Sequence, residues 1–372
     1  MASVWLRHRS SLLSNPLVYN LLAPIRSNSR FLSLSLFQIK PTNMRYSVII
    51  PVYNRPDEVD ELLQSLVKQH FKDFEVIVVE DGSSVPCLAV TEKYKAVLDL
   101  KYYQKSNSGP GQSRNYGAER SQGDFLIILD SDCILPESYF DEVEAELETA
   151  PADAFGGPDC AHDSFTDIQK AINYSMTSFF TTGGIRGGKK KMDKFYPRSF
   201  NMGVRREVYQ ALGGFSKMRF GEDIDFSIRI FKGGYKCRLF PGAWVYHKRR
   251  TDLKKFFKQV HNSGIARINL YKKYPESLKL VHLLPAAFTL GVALLLVGGL
   301  FCPYSLLPIL FYALLVCVDS ACCNHSLRIG VYSIAASFIQ QIGYGTGFWR
   351  AWWQRCILKR GEFEAFQKNF YK

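Results

Sequence analysis

Short apolar runs alternate with segments of helical spacing from residue 46 to about residue 134. "YSVIIPV", "FEVIVV" and "FLIIL" are almost unbroken apolar runs, which are typical of strands buried on both faces. The segment that follows the first run has the stripe of an amphipathic helix, with apolar residues at Val59, Leu62, Leu63, Leu66 and Val67. Strands separated by helices predict an α/β domain, Rossmann-like, with a mainly parallel sheet and helices on both faces.

Polar residues follow three of these strands at the point where each strand ends. Tyr53 follows "YSVIIPV", Glu80 and Asp81 follow "FEVIVV", and Asp130 and Asp132 follow "FLIIL". Because the carboxyl ends of parallel strands meet at one edge of a sheet, where ligands bind, we expect these side chains to lie close together. The pattern therefore predicts a binding site at this edge.

The pair Asp130 and Asp132 places two like charges at the end of a buried strand. Such a pair needs a cation, and a hard divalent ion such as Mg²⁺ or Mn²⁺ prefers oxygen ligands of this kind. The alternative is that Asp130 caps the following turn and that Asp132 is a solvated loop residue. The pair by itself leaves both interpretations open.

The last third of the chain is apolar. Residues 281–318 contain no Asp, Glu, Lys or Arg and are interrupted at Pro303. Since a membrane-spanning helix needs about 20 apolar residues, this run predicts two short spans. Residues 329–349 are also uncharged and include four glycines, which fits a third span or an interfacial helix. A buried helical hairpin in a soluble protein is the alternative.

The net charge of +13 is concentrated in two segments. Residues 1–43 carry five Lys or Arg and no acid, and residues 247–273 carry nine against Asp252 alone. A nucleic-acid-binding protein would spread its charge over a groove-shaped face, so we expect no nucleic acid partner. A basic block next to apolar spans indicates contact with membrane lipid and, by the positive-inside bias, a cytoplasmic α/β domain, for which a bacterial inner membrane is the expected location.

Changes in composition divide the chain into five segments. We expect residues 1–43 to be either a transit peptide or an unstructured, over-extended start before Met44, and assign them no element of the predicted fold. The nine cysteines include no CxxC pair, so neither a zinc site nor a disulfide framework is expected. The remaining segments are the α/β domain (44–250), a basic membrane-proximal helix region (251–280), a hydrophobic membrane region (281–349) and a basic cytoplasmic tail (350–372).

Four ordered motifs between residue 46 and about residue 250 resemble the family 2 glycosyltransferases, which have the GT-A fold. They are "VIIPVYNRPDEVDELLQSL", "FEVIVVEDGSS", "SGPGQSRNYGAERSQGDFLIILDSD" and "NMGVRREVYQALGGFSKMRFGEDIDFSIRIFKGGYK". The resemblance implies a GT-A domain, a nucleotide-sugar donor and a divalent cation. It rests on the order and spacing of the motifs, which are more specific than any one of them.

The resemblance also implies a set of donor-binding residues. In this interpretation the ring of Tyr53 stacks on the nucleotide base and the carboxylate of Asp81 accepts an N–H hydrogen bond from it. Each residue also has a structural interpretation, such as core packing for Tyr53, a turn cap for Asp81 and a salt bridge for Arg114. The implied nucleotide- and donor-binding residues are Pro51, Tyr53, Glu80, Asp81, Arg114, Asp130 and Asn201.

The metal and the catalytic base are implied in the same way. Asp132 is the main metal ligand, with Asp130, and His247 either completes the metal site or is a buried, hydrogen-bonded histidine. Asp223 of "GEDIDF" matches the base that removes the proton from the acceptor hydroxyl, and Glu222 orients the acceptor. Asp225 is expected to point elsewhere, because residues i and i+2 of a helix do not share a face.

These residues predict a metal-dependent inverting glycosyltransferase. Its expected donor is a UDP-sugar, and its expected acceptor is a lipid-linked or membrane-proximal glycan in cell-envelope assembly. "KQVHNSGIARIN" lacks the RW of the QxxRW motif found in family members that polymerise long chains, which favours one transfer per encounter. The alternative from another class is a non-catalytic nucleotide-sugar-binding or scaffold protein of a membrane complex.

Overall fold

A computed structural model describes residues 45–160, 165–182, 195–248 and 250–363. The sequence predictions for residues 1–43 and for the end of the tail, 364–372, concern residues outside these ranges.

The described residues form ten strands and twelve α-helices. The strands are β1 (Tyr46–Val52), β2 (Phe74–Asp81), β3 (Asp99–Lys105), β4 (Phe125–Leu129), β5 (Cys133–Ile134), β6 (Ala154–Gly156), β7 (Asp159–Cys160), β8 (Asn201–Arg205), β9 (Cys237–Leu239) and β10 (Val245–His247). The helices are α1 (Pro56–Val67), α2 (Leu88–Glu92), α3 (Pro110–Ala118), α4 (Tyr139–Thr149), α5 (Asp167–Thr177), α6 (Phe179–Thr182), α7 (Arg206–Ala211), α8 (Glu222–Lys232), α9 (Leu253–Lys273), α10 (Leu284–Gly299), α11 (Leu307–Asn324) and α12 (Leu327–Trp352).

Seven of the strands form one sheet in the order β3-β2-β1-β4-β8-β6-β9. The first four are parallel to one another, whereas β8 runs antiparallel to both of its neighbours. The predicted α/β architecture with a mainly parallel sheet is confirmed. A second, small sheet has the order β5-β10-β7, and it had no counterpart in the sequence pattern.

Both faces of the large sheet are covered, which explains the unbroken apolar strands. Val48 and Ile50 of β1 pack in one hydrophobic cluster with Leu62 of α1. Ile49, between them, points to the opposite face and packs in a second cluster with Phe226 of α8. Successive side chains of a strand alternate between faces, so a sheet with helices on both sides needs apolar residues at every position.

The C-terminal helices form a layer that includes part of the α/β domain. Ile172 of α5, Phe256 of α9 and Ala336 of α12 share one buried cluster. The helices α9 and α12 lie close together, because a Cβ atom at Gly347 would overlap the backbone of His261. Small residues allow helix backbones to approach in this way. Helix α5, which lies between β7 and β8 in sequence, therefore belongs to the helical layer.

Two helical segments of the described residues are long and apolar enough to cross a membrane, judged by length and composition alone. They are Leu280–Gly299 and Pro303–Asn324, and only 6% and 11% of their apolar windows are buried in the structure. The break between them falls at the predicted position, Pro303. Helix α12 has 26 residues but does not meet the same criteria, and it packs along α9 instead.

We predict that Gly203→Ala destabilises the large sheet. Gly203 of β8 lies opposite Phe155 of β6, whose ring stacks on Phe240 with the ring centres 4.3 Å apart. A Cβ atom at position 203 would overlap the Phe155 ring, which is fully buried and cannot move aside. Overpacking of this kind costs about 1–3 kcal/mol, so the melting temperature should fall by several degrees.

Thermal unfolding of the full chain, followed by circular dichroism, measures this effect. Gly361→Ala is the matched control, because a Cβ atom there meets nothing within 4 Å. Equal melting temperatures for the two variants would contradict the packing argument.

Candidate functional site

The small sheet brings His247 next to Asp132. Strand β5 begins immediately after Asp132, and His247 of β10 pairs with Cys133 of β5. The backbone N–H of Lys248 also donates to the carbonyl oxygen of Asp132 at 3.1 Å. As a result, His247 Nε2 lies 3.2 Å from Asp132 Oδ1. The predicted proximity of these two residues is therefore present in the structure.

Asp132 is a buried carboxylate surrounded by positive charge. Besides His247, it forms an ion pair with Arg55, which follows β1. Burial of Asp132 opposes its ionisation, but His247 and the charges of Arg55 and Arg250 outweigh this and hold the pKa of Asp132 well below its usual range. Asp132 is thus ionised at neutral pH, as a metal ligand must be.

Three ligand atoms, one each from Asp132, Cys133 and His247, lie within 4.8 Å of one another. Burial raises the pKa of the Cys133 thiol well above its usual value, and the thiol donates to the carbonyl oxygen of Phe200. A protonated thiol is a poor metal ligand. The remaining carboxylate and imidazole suit Mn²⁺ and, with substrate oxygens, Mg²⁺. The donor set therefore fits the predicted ion.

Asp130 faces a different partner, Arg114 of α3. The Nη2 of Arg114 lies 2.7 Å from Asp130 Oδ1, and its Nη1 lies 3.0 Å from Glu222 Oε1. The Arg114 side chain is only 3% exposed and also stacks over the ring of Phe215. One buried guanidinium thus joins the end of β4 to the start of α8.

Glu222 and Asp223 lie in the first turn of α8. Burial raises the pKa of Glu222 to about 7, Arg114 opposes this shift and the neighbouring Asp223 carboxylate adds to it. Asp223 Oδ2 lies 3.4 Å from Nη1 of Arg198, and the Asp223 side chain is 14% exposed, so it is partly accessible to solvent. Arg114 joins Asp130 to Glu222, and Asp132 and Asp223 follow these two acids closely in sequence. All four acids therefore lie at one edge of the sheet.

Asp225 anchors α8 to α9. Its buried carboxylate accepts a hydrogen bond from Tyr274 Oη at 2.9 Å and forms ion pairs with Lys273 at 2.5 Å and Arg229 at 2.9 Å. Its partners differ from those of Asp223, which are Ile224 and Arg198, as the i, i+2 spacing predicted. Its role is to fix the orientation of the helix that carries Glu222 and Asp223.

Glu80 and Asp81 are completely buried at the end of β2. Glu80 accepts hydrogen bonds from the backbone N–H of Cys87 and from Tyr102 Oη, at 2.7 and 3.3 Å. Asp81 accepts from the N–H groups of the loop that precedes α3, at 2.9 Å from Ser108 and 2.8 Å from Gly109. These contacts shape the loops around the predicted nucleotide pocket, and direct contact with the donor stays a prediction.

Tyr53, Pro51 and Asn201 complete the predicted donor set. Tyr53 is half-buried just after β1, whereas Pro51 is buried within that strand. The side chain of Asn201 is buried, and both its oxygen and its nitrogen are hydrogen-bonded within the protein: it accepts from Tyr139 Oη at 2.7 Å and donates to the carbonyl oxygen of Ala243 at 2.8 Å. Of the three, Tyr53 alone has the exposure that stacking on a base requires.

Two arginines of the site have no place in the sequence prediction. Arg55 follows Tyr53 by two residues, and Arg198 precedes β8 by three. Because β8 is antiparallel to β4, its first residues lie at the same sheet edge as the carboxyl ends of the parallel strands. Arg55 could have been predicted at this edge, because it closely follows the end of β1. Arg198 could not, because its position depends on the antiparallel direction of β8.

Comparisons with known proteins show the family of the chain. Residues 47–213 match the family model described as glycosyl transferase family 2. An uncharacterized glycosyltransferase of Haemophilus influenzae is 30% identical over 219 residues, which cover 56% of this chain and 70% of that protein. The poly(ribitol-phosphate) beta-N-acetylglucosaminyltransferase TarS of Staphylococcus aureus is 39% identical over 114 residues, 30% of this chain. The match spans only 20% of the length of TarS.

A solved structure supports the fold. The mannosyltransferase PcManGT from Pyrobaculum calidifontis, determined in complex with GDP-Man and Mn²⁺, has a TM-score of 0.56 and 18% identity, and the match covers 80% of this chain and 86% of that one. At this identity the likeness concerns the fold alone. Taken with the sequence matches, it shows that this chain belongs to the family 2 glycosyltransferases and has the GT-A fold.

Proposed function

We propose that this chain is a metal-dependent, inverting glycosyltransferase that transfers a sugar from a nucleotide-sugar donor, a UDP-sugar as first choice, to a lipid-linked or membrane-proximal acceptor. The observation that carries the proposal is the Arg114 bridge, in which one guanidinium contacts both Asp130 and Glu222. It joins the acids assigned to the donor side to those assigned to the acceptor side. A scaffold protein would not need donor-side and acceptor-side acids next to each other.

On the donor side, Asp132 and His247 would hold the divalent ion. When bound, such an ion offsets the charge that develops on the departing nucleoside diphosphate. Arg55 forms an ion pair with Asp132 and therefore lies at the same edge of the sheet. Its guanidinium is suited to a phosphate oxygen, because arginine recognises phosphate by charge-assisted hydrogen bonds. Tyr53 supplies an accessible ring for the base.

On the acceptor side, Asp223 acts as the base. Its Oδ1 accepts a hydrogen bond from the backbone N–H of Ile224 at 2.8 Å, which fixes the carboxylate, and Arg198 lies near Oδ2. A carboxylate held in this way takes the proton of the acceptor hydroxyl as the oxygen attacks the anomeric carbon. Attack from the face opposite the diphosphate inverts the configuration. Glu222, next to Asp223, orients the acceptor.

The location is proposed from the C-terminal helices. Two apolar segments, Leu280–Gly299 and Pro303–Asn324, follow the basic helix α9. The positive-inside bias then favours a cytoplasmic catalytic domain attached to a membrane, with the bacterial inner membrane as the expected one. A reaction at that surface suits the assembly of cell-envelope glycans.

The base is tested by Asp223→Asn in the full chain purified in detergent. Loss of the general base should lower kcat by about a hundredfold or more, whereas the affinity for UDP with Mn²⁺ should change little. A panel of UDP- and GDP-sugars with lipid-extract acceptors, read by mass spectrometry, measures transfer. Asp57→Asn, an exposed carboxylate of α1, is the control. Transfer by Asp223→Asn at a rate close to that of the control would refute the assignment.

The pH profile is tested through Glu222. Since the pKa of Glu222 lies at about 7, the carboxyl is protonated below this pH and ionised above it. Ionised Glu222 strengthens the ion pair with Arg114, which holds the first turn of α8 and with it Asp223 in position. The value of kcat/KM should therefore rise through about pH 7 and then level off, and Glu222→Gln should remove this rise. An unchanged profile in Glu222→Gln would show that another group titrates.

Metal binding is tested by calorimetry without turnover. Titration of the full chain with UDP should give heat in the presence of Mn²⁺ and little after chelation, and UDP should bind better than GDP. Asp132→Asn and His247→Ala should each abolish the metal-dependent part, since each removes a proposed ligand. Asp57→Asn again serves as the control. Metal-independent binding of UDP would favour the non-catalytic alternative.

A further inference from the structure

Four basic side chains meet where the catalytic domain joins the helical layer. They are Arg198 before β8, Arg267 of α9, and Lys279 and His282 at the entrance to α10. Ile268, the residue after Arg267, packs with Leu278 and Leu283 on either side of Lys279 and His282. Burial and the charges of Arg267, Lys279 and Arg198 lower the pKa of His282 to about 3, so its ring is neutral and the other three residues carry the positive charge. We call these four residues the cationic cluster.

Local contacts fix the arrangement of the cluster. The backbone N–H of Lys279 donates to His282 Nδ1 at 3.0 Å. The proton of the neutral ring is then on Nε2, which can donate a hydrogen bond to a ligand. The ammonium group of Lys279 lies 6.0 Å from the ring centre of Tyr196, two residues before Arg198. The segment before β8 and the segment before α10 therefore lie side by side.

The cluster lacks enough negative charge to balance it. Arg198 lies near Asp223, but Arg267 and Lys279 form no ion pair with any carboxylate of the described ranges. The Nε of Arg267 is buried and has no hydrogen-bond partner among the described residues. Neighbouring cations repel one another, and a buried polar atom without a partner is unfavourable. A bound anion would relieve both effects.

Apolar surface begins directly beside the cluster. Leu278 and Leu283 pack with Ile268 of α9, whereas Leu280 and Leu284 are 78% and 59% exposed. Leu280 is also the first residue of a segment apolar enough to cross a membrane. An anionic head group bound to the cluster could thus continue into a hydrocarbon chain along this surface. The Asp223 carboxylate lies next to the same position through Arg198.

We propose that the cationic cluster binds the phosphate or diphosphate of a lipid-linked acceptor and holds it beside Asp223. The inference rests on the proposed function, because it assigns an acceptor site to that reaction. Arginine and lysine supply charge-assisted hydrogen bonds to phosphate oxygens, and His282 Nε2 supplies a neutral donor. The acceptor is then recognised by its phosphate, and its hydrocarbon chain lies along α10.

The test is binding of a twenty-carbon isoprenoid phosphate to the full chain in detergent micelles, with the isoprenoid alcohol of the same length as the reference. The phosphate should bind more tightly than the alcohol. Arg267→Ala combined with Lys279→Ala should weaken binding of the phosphate by about tenfold or more, since charge-assisted hydrogen bonds are lost, and leave the alcohol unaffected. Lys272→Ala, an exposed lysine of α9, is the matched control.

Lys279→Glu provides a second variant, because Lys279 is exposed and its replacement leaves the buried packing intact. It should also weaken binding of the phosphate but not of the alcohol. Equal affinities for phosphate and alcohol, or equal binding of the phosphate by variants and control, would overturn the inference. So would equal binding of phosphatidylglycerol with the same sensitivity to the variants, since that identifies a site for bulk lipid head groups. Complete displacement by inorganic phosphate at equal concentration would identify a free-phosphate site and also overturn it.

The outcomes separate this inference from the proposed function. Binding of UDP with Mn²⁺ and sugar transfer to another acceptor, without recognition of the isoprenoid phosphate, would reject the cationic cluster alone. Selective binding of the isoprenoid phosphate in a chain that neither binds UDP with Mn²⁺ nor transfers sugar would support the phosphate site and reject its place in the transferase reaction.

Discussion

The structure depends on the buried guanidinium of Arg114. A cation removed from water must be paired, and removing one partner of a buried pair is strongly destabilising. Arg114 meets this requirement with two carboxylates from distant parts of the chain, Asp130 and Glu222. The same contacts therefore determine where α3, the end of β4 and the start of α8 lie relative to one another. The spacing of the site follows from an electrostatic requirement of the fold.

The surroundings of two carboxylates at the site shift their pKa values in opposite directions. Both Asp132 and Glu222 are buried, which favours their neutral forms. Asp132 lies among His247, Arg55 and Arg250 and stays ionised, whereas Glu222 is opposed by its neighbour Asp223 and has a pKa near 7. Such a division is how one fold provides both a permanent anion and a group that titrates near neutral pH.

The sequence predicted the large sheet well, because an unbroken apolar strand requires two covered faces. It also predicted which strand ends carry polar residues, since those residues adjoin the apolar runs. It did not predict the pairing of His247 with Cys133, because β5 and β10 are too short to leave a periodic pattern. The second role of Arg114 was missed for a related reason. A contact with Glu222 depends on the packing of two helices and has no local signal.

The helical layer is attached to the catalytic domain at two places. Helix α9 follows β10, and α5, which lies between β7 and β8 in sequence, packs in the same buried cluster as α9 and α12. A domain joined by a single linker can swivel about it, whereas two attachments restrict rotation to small angles. The distance between Asp223 and the helical layer is then fixed. A substrate bound along these helices would have to extend its reactive group over that fixed distance.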